Sequence, residues 1–190
     1  MDKDIVTVVS GLPRSGTSMV MKMLEAGGIP PLTDQVRTAD IDNPKGYYEF
    51  ERVKKLPKDT EWLNDARGKA VKVLAELVKH LPDGYTYKIV FIQRNLKEII
   101  ESQKKMLVRR GEDPNKVSDK ELFELYTKYL KIIKTHINKR LNMEVLYIDY
   151  NNTLKHPKET IKDLNKFFNG ELNIKKMNSV IDKKLYRNRA

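Results

Sequence analysis

Hydrophobic residues in this chain form short β-branched runs that alternate with longer segments in which they recur every three or four positions. The short runs predict strands at residues 5–9, 88–92 and 143–148, with a further short strand at residues 70–73. The other segments predict a helix after each strand and a long helix that opens with the capping box Ser118-Asp-Lys-Glu121. This alternation is typical of an α/β protein, so we expect three layers with a central parallel sheet flanked by helices.

The segment between the first strand and the first helix is rich in glycine and hydroxyl residues. Gly11 and Gly16 bound a tight loop, and residues 19–24 then show helical spacing up to Gly27-Gly28. In a loop of this kind, the backbone N–H groups and the positive end of the helix dipole converge on one anion. The segment therefore predicts a phosphate cradle and a P-loop-type fold. The alternative is an ordinary strand-to-helix turn.

The side chains of this loop differ from those of an ATP or GTP P-loop. That motif reads G-x-x-x-x-G-K-[ST], and its lysine reaches the β- and γ-phosphates. Here Gly11 and Gly16 keep the spacing, but Thr17 occupies the position of the lysine, and the cation of the loop is Arg14. An anion-binding backbone without that lysine favours a nucleotide other than a triphosphate.

Composition narrows the class of protein further. A chain of 190 residues is expected to form one domain over residues 1–190, and the absence of cysteine excludes disulfides and thiolate metal sites. No apolar run approaches the ~20 residues that span a bilayer and no signal peptide precedes the first strand, which favours a cytoplasmic protein. The net charge is +11, but the lysines are spread over every predicted helix. This charge therefore indicates no specific nucleic-acid partner, since an anionic small molecule explains it equally well.

Residues 29–64 interrupt the α/β pattern with prolines, scattered acids and a turn sequence at 43–46. An irregular insertion after the first βα unit is expected near the carboxyl ends of the strands, where α/β proteins bind their ligands. Within it, Glu49 is flanked by aromatic residues. If their packing buries its carboxyl group, its pKa rises and Glu49 can act as a general base. Alternatively, Glu49 is a surface acid beside an aromatic anchor.

Two further segments carry candidate anion ligands. Arg94 follows the strand at 88–92 and Ser102 lies two turns into the next helix, so both could face one ligand. The tail at 185–189 contains Arg187 and Arg189. It is either a frayed basic terminus or a clamp that folds over a phosphate.

These motifs together resemble a known family. The loop Leu12-Pro-Arg-Ser-Gly-Thr-Ser18 resembles the 5′-phosphosulfate loop of sulfotransferases that use 3′-phosphoadenylyl sulfate (PAPS). Residues 88–98, with Ser102 eight residues past Arg94, resemble the 3′-phosphate motif of that family. Weaker similarity to short microbial members extends over residues 145–150, the helix that starts at Pro157 and the tail, so the resemblance covers nearly the whole chain. It implies a PAPS-dependent sulfotransferase with a central parallel sheet.

The resemblance also implies a role for each matching position. The loop residues expected to hold the 5′-phosphosulfate are Pro13, Arg14, Ser15, Gly16, Thr17 and Ser18. The residues expected at the 3′-phosphate are Arg94, Ser102, Arg187 and Arg189. Tyr150 would lie near the adenine, and Arg14 stands where many relatives carry a catalytic lysine.

One departure from the family concerns the general base. In the cytosolic branch, a strand ending in Lys-Thr-His supplies it. The comparable stretch here is Val71-Lys-Val-Leu74, which keeps a lysine at Lys72 but has Leu74 in place of the histidine. Lys72 thus stays a catalytic candidate, and Glu49 is the candidate base because other branches of the family use a glutamate.

The implied reaction is the in-line, metal-independent transfer of a sulfuryl group from PAPS, which leaves 3′-phosphoadenosine 5′-phosphate (PAP). The acceptor would be a small molecule, glycan or lipid that presents a hydroxyl or an amine, and the sequence does not identify it. Two alternatives stay open. One is a nucleotide kinase or NTPase with a degenerate P-loop, for which Asp149 is the nearest candidate metal ligand. The other is a non-catalytic module that binds polyanions.

Overall fold

The computed structural model describes residues 2–34, 36 and 48–180. Its four strands are β1 (Ile5–Gly11), β2 (Ala70–Lys72), β3 (Thr86–Gln93) and β4 (Met143–Asp149). They form one parallel sheet in the order β2-β1-β3-β4. The predicted parallel sheet is confirmed, and all four predicted strands are present. Strands β1, β3 and β4 are longer than predicted, and β2 ends one residue earlier.

Helices follow the strands as the hydrophobic spacing predicts. The α-helices are α1 (Thr17–Gly27), α2 (Leu96–Arg109), α3 (Asp119–Lys139), α4 (Tyr150–Lys155), α5 (Pro157–Phe167) and α6 (Ile174–Ser179). Three 3₁₀ helices span Glu51–Lys55, Glu61–Leu63 and Ala75–His80. The segment after β2 is therefore a short 3₁₀ helix instead of the predicted α-helical turns. The prediction also missed α4, whose first turn is capped by the carboxylate of Asp149, which accepts a hydrogen bond from the N–H of Asn152 at 2.6 Å.

Side chains on the two faces of the sheet pack into separate cores. On one face, Val8 and Phe91 pack with the 3₁₀ helices and with α3, and the indole of Trp62 is fully buried there. On the other face, Val9 and Ile92 pack with α1, α4, α5 and α6. The structure therefore has the three predicted layers. Helices cover both faces of the sheet because each central strand has apolar residues on both faces.

Helix α3 extends past the carboxyl edge of the sheet. Its capping box is present, and its buried residues are Ile133 and Ile137, both in its second half. The ammonium of Lys134 donates to the side-chain oxygen of Gln93, the last residue of β3, at 2.8 Å. At about 1.5 Å per residue, the turns before Lys134 carry the helix up to about 20 Å beyond the sheet. The first half of α3 therefore stands beside the edge at which the strands end.

The insertion at 29–64 begins alongside β2, the outer strand of the sheet, and first pairs with it at the amino end of that strand. The N–H of Leu32 donates to the carbonyl of Ala70 in β2 at 2.8 Å, and Pro31 forms a parallel bridge with Ala70. Residues 35 and 37–47 of the insertion lie outside the described residues. Among the helices of the described part, none is long and apolar enough to cross a membrane.

The register of the sheet aligns the ends of its three longest strands. Gly11 is opposite Ile92, and Ile92 is opposite Ile148. The segments that leave these strands contain the glycine loop, Arg94 and Tyr150. Because these strands are parallel and end together, three of the predicted site segments begin at the carboxyl edge of the sheet.

Candidate functional site

The loop between β1 and α1 requires glycine at both of its ends. A Cβ on Gly11 would lie 2.5 Å from the Oγ of Ser15 and 2.7 Å from the carbonyl oxygen of Ile92. Gly16 has φ 104°, and a Cβ there would overlap the ring of Tyr150. Only glycine fits both positions, which explains the spacing seen in the sequence.

The interior of this loop has the properties of an anion site. Gly16 is the N-cap of α1 and has no side chain to cap the helix, so the positive end of the helix dipole faces the interior of the loop. The Oγ of Ser15 is buried and has no hydrogen-bond partner in the structure. A buried hydroxyl without a partner is rare, and an oxyanion in the loop would satisfy it. Thr17 is also buried at the start of the helix. The donor set therefore fits a phosphate or phosphosulfate group.

Arg14 connects the loop to helix α2. Its Nε donates to the Oγ of Ser102 at 3.0 Å, across 88 residues of sequence. Its carbonyl oxygen accepts from the guanidinium of Arg94 at 3.0 Å. The structure thus brings Arg94 and Ser102 to the same loop residue, Arg14.

Arg94 is anchored by a buried ion pair. Its Nε lies 2.8 Å from a carboxylate oxygen of Glu98, and the two side chains are 7% and 2% exposed. The other carboxylate oxygen of Glu98 accepts from the Nδ2 of Asn151 at 2.7 Å. Neither Glu98 nor Asn151 was predicted from the sequence to belong to the site. The i, i+4 spacing of Arg94 and Glu98 was the available signal, since residues so spaced are neighbours on a helix.

The ring of Tyr150 lies against both halves of the site. Its centroid is 4.5 Å from the Cζ of Arg94, a cation–π contact, and its edge adjoins Gly16. Tyr150 is the first residue of α4 and is 5% exposed. The predicted neighbour of the adenine is therefore packed between the loop and Arg94.

Glu49 and Lys72 form a second cluster at the end of β2. The Nζ of Lys72 lies 3.5 Å from a carboxylate oxygen of Glu49, and the side chains are 9% and 21% exposed. Of the aromatic residues beside Glu49, Phe50 packs edge-to-face on Trp62, with ring centroids 5.6 Å apart. The carboxylate of Glu49 is therefore paired with the ammonium group of Lys72. The sequence had suggested contacts with aromatic side chains instead.

The remaining predicted residues are placed as follows. Pro13 is exposed and its carbonyl accepts from the Nε2 of Gln103 at 3.3 Å. Ser18 is half-buried in the first turn of α1. Arg187 and Arg189 lie outside the described residues. Within residues 2–34, 36 and 48–180, no cluster of three or more His, Asp or Glu side chains could hold a metal ion.

Comparison with known protein families identifies the chain. A family model described as the sulfotransferase domain matches residues 3–188. The chain belongs to the sulfotransferase family. This match extends over both glycines of the loop and the Arg94–Ser102 segment, so it includes every cluster described above. No curated protein sequence matches the chain significantly.

Three solved structures share the fold of this chain. Mouse sulfotransferase SULT7A1 complexed with PAP matches with a TM-score of 0.56 and 18% identity, over 95% of this chain and 63% of that chain. The sulfotransferase domain of the Synechococcus PCC 7002 olefin synthase matches with a TM-score of 0.52 and 14% identity, over 99% and 84%. Retinol dehydratase in complex with androsterone and inactive cofactor PAP matches with a TM-score of 0.51 and 15% identity, over 95% and 64%. At these identities the likeness shows the fold. The chain spans about 63% of the length of the mouse enzyme.

Proposed function

We propose that this chain transfers a sulfuryl group from PAPS to a hydroxyl or amine of an acceptor, without a metal ion. The observation that carries the proposal is the contact network that joins Arg14 of the loop to Ser102 and Arg94 of the α2 segment. This network places the phosphate-binding loop next to a second group of hydrogen-bond donors, Arg94 and Ser102. Two neighbouring anion sites suit a nucleotide with phosphates at both its 5′ and 3′ positions. Two of the similar structures, the mouse sulfotransferase and retinol dehydratase, are complexes with PAP.

Two parts of the site would bind the sulfuryl donor, PAPS. The loop N–H groups with Ser15, Thr17 and Ser18 would bind the 5′-phosphosulfate, because helix N-termini and buried hydroxyls favour oxyanions. Arg94 and Ser102 would bind the 3′-phosphate that distinguishes this nucleotide from ATP. The ring of Tyr150 would contact the adenine, and Arg187 and Arg189 would cover the 3′-phosphate. Pro13 would contribute through its place in the loop.

In catalysis, the loop with Arg14 and the Glu49–Lys72 pair would have separate roles. PAPS supplies the sulfuryl group and a phosphate as leaving group. Arg14 would stabilise the negative charge that develops on that phosphate, since a fixed cation at developing charge lowers the barrier. Glu49 would accept the proton of the acceptor, and Lys72 would orient its carboxylate at 3.5 Å. The insertion at 29–64 and the first half of α3 would bound the acceptor site. We also propose, from the sequence, that the reaction takes place in the cytoplasm.

Ligand-dependent thermal unfolding tests the donor assignment. In buffer with EDTA, PAP at about 100 times its Kd should stabilise the protein by about 2.7 kcal/mol, because it binds only the folded state. For a chain of this size, that corresponds to a rise in Tm of about 5–10 °C. ATP at the same concentration should raise Tm by much less, since it has no 3′-phosphate for Arg94 and Ser102.

The same measurement separates the alternatives. A kinase or NTPase would be stabilised by ATP with Mg²⁺ and not by PAP in EDTA. The kinase alternative has less support, because Asp149 is its nearest candidate metal ligand and a carboxylate oxygen of Asp149 instead caps α4. A polyanion-binding module would respond to heparin with a steep dependence on salt and would not distinguish PAP from AMP.

Replacement of Glu49 by glutamine tests the general base. If Glu49 accepts the proton, Glu49→Gln should lower kcat about 10²-fold or more and remove the acidic limb of the pH–rate profile. The rate would be measured with the best acceptor from a panel of phenols, alcohols and amines. PAP affinity should not change, because Glu49 is not among the proposed donor ligands.

Glu51→Gln is the matched control for this experiment. Glu51 lies two residues away and forms an exposed ion pair with Lys54. Its substitution should leave both kcat and the pH profile unchanged. Full turnover of Glu49→Gln with an unaltered pH profile would rule out Glu49 as the base.

A further inference from the structure

The two peptide groups that flank Arg14 are each held by a side chain of the α2 segment. The Nε2 of Gln103 donates to the carbonyl of Pro13 at 3.3 Å, and the guanidinium of Arg94 donates to the carbonyl of Arg14 at 3.0 Å. Gln103 follows Ser102, which itself accepts from the Nε of Arg14. Three contacts from α2 and the residues before it thus converge on a single loop residue.

These contacts determine the backbone conformation of Arg14. A peptide group is planar, so a hydrogen bond to its carbonyl oxygen restrains the orientation of the whole unit. The dihedral angles φ and ψ of Arg14 describe how the planes before and after its Cα are rotated. With both planes held, both angles are restrained, and the direction in which the side chain leaves the backbone is restrained with them. Arg14 has φ 73°, a left-handed conformation that non-glycine residues adopt only when the surrounding structure imposes it.

Gln103 is in turn oriented by Tyr126 of α3. The hydroxyl of Tyr126 donates to the side-chain oxygen of Gln103 at 2.6 Å. A backbone carbonyl can only accept a hydrogen bond, so the amide nitrogen of Gln103 faces Pro13 and its oxygen faces Tyr126. Tyr126 lies in the half of α3 that extends beyond the sheet. The relay from Tyr126 through Gln103 to Pro13 therefore links the proposed acceptor side of the molecule to the loop.

We infer that Gln103, oriented by Tyr126, is a positioning residue for Arg14. The inference rests on the proposed function, in which the guanidinium of Arg14 acts on the leaving phosphate. Gln103 contacts the loop through backbone, so its effect on the reaction passes through the direction of the Arg14 side chain. Arg94 differs from it, because Arg94 is also a proposed ligand of the 3′-phosphate. The sequence alone gave no signal for this role of Gln103.

The substitution Gln103→Glu tests the inference with little change in shape. Glutamate keeps the length of the side chain and an oxygen for Tyr126, but it replaces the amide donor by an oxygen that faces the carbonyl of Pro13. We expect kcat to fall about 10- to 100-fold, as for a displaced catalytic group, while the Kd for PAP changes by less than about threefold. Gln103→Asn, which keeps the amide but shortens its reach, should act in the same direction and serves if Gln103→Glu does not fold.

A spectroscopic readout is independent of turnover. The ¹H–¹⁵N signal of the Nε–H of Arg14 reports its hydrogen bond to Ser102, and it can be assigned through its loss in Arg14→Ala. We expect this signal to shift or broaden in Gln103→Glu and Tyr126→Phe. It should not move in Tyr129→Phe, a control on the same helix whose hydroxyl has no hydrogen-bond partner in the structure.

A double-variant comparison distinguishes positioning from a general structural effect. If Gln103 acts through Arg14, Gln103→Glu should cause no further loss of kcat in the Arg14→Ala background. An equal loss in both backgrounds would overturn the inference, and so would an unmoved Nε–H signal in Gln103→Glu. Failure of the wild-type protein to bind PAP would instead overturn the proposed function, and the signal would still report whether Gln103 holds Arg14.

Discussion

Arg14→Ala is expected to lower kcat for sulfuryl transfer by about 10²–10³-fold, the cost of removing one fixed donor from a site of developing charge. Arg14 is the cation of the loop and is oriented by Ser102 and by the two carbonyl contacts from the α2 segment. The loop N–H groups would still bind the 5′-phosphate in the variant. We therefore expect the Kd for PAP to rise by less than about tenfold, since the lost interaction matters most in the transition state.

Single-turnover measurements with PAPS and the best acceptor would give the rate of sulfuryl transfer for the wild-type protein and for Arg14→Ala. Arg14→Lys is the matched control, because it keeps a positive charge at the same position of the loop. It should retain at least about a tenth of the wild-type kcat, since a lysine lacks the rigid planar donors of arginine but supplies the charge. Near wild-type turnover in Arg14→Ala would contradict the assigned role.

The second large effect is expected at Arg94. Replacing it with methionine should raise the Kd for PAP about 10²-fold, because a charge-assisted hydrogen bond to phosphate contributes roughly 1.5–3 kcal/mol. The Kd for 5′-AMP should change by less than about threefold, since that nucleotide has no 3′-phosphate. Calorimetric titration with both nucleotides would measure this selectivity. Equal losses for PAP and AMP would argue against a 3′-phosphate site at Arg94.

The structure adds a complication to this experiment. Arg94 is also the partner of Glu98, whose carboxylate is 2% exposed. Removing one member of a buried ion pair typically costs about 3–5 kcal/mol of the free energy of unfolding. Arg94→Met should therefore also be less stable in urea. The double variant Arg94→Met/Glu98→Gln removes the unpaired charge, so it should recover most of that stability while PAP binding stays weak.

Ser102→Ala provides an independent check on the same subsite. The Oγ of Ser102 is buried and contacts Arg14, and alanine removes it without leaving a charge. A loss of about tenfold in PAP affinity, with AMP affinity retained, would agree with one lost hydrogen bond. A change that affects both nucleotides equally would indicate that Ser102 acts only through Arg14.

Local elements were predictable because their signals lie within a few residues. The β-branched runs, the helical spacing and the capping box at Ser118 all depend on neighbours in sequence, and the structure confirms them. The short elements were not predicted correctly: α4, α6 and the three 3₁₀ helices. Helix α4 has six residues, too few for a periodic pattern, and its cap at Asp149 continues directly from a strand. Residues 75–80 have helical spacing but form a tighter 3₁₀ helix of six residues.

The candidate site was predictable only in part. The glycine loop could be recognised because its anion-binding geometry comes from consecutive residues. Arg94 and Ser102 could be named because they lie only eight residues apart, one before α2 and one within it. The partners that orient these groups were not visible. Glu98 meets Asn151 across 53 residues, and Gln103 meets Pro13 across 90.

The sequence by itself determined which segments become strands and helices, where an anion-binding loop begins, and which residue types are available to it. Only the tertiary structure decided which of these residues meet. The strand order β2-β1-β3-β4 sets β3 between β1 and β4, and the aligned ends of these strands bring their following segments together. The physical reason is that hydrogen-bonded turns and caps form between near neighbours, whereas strand order and helix packing depend on how the whole chain buries its apolar surface.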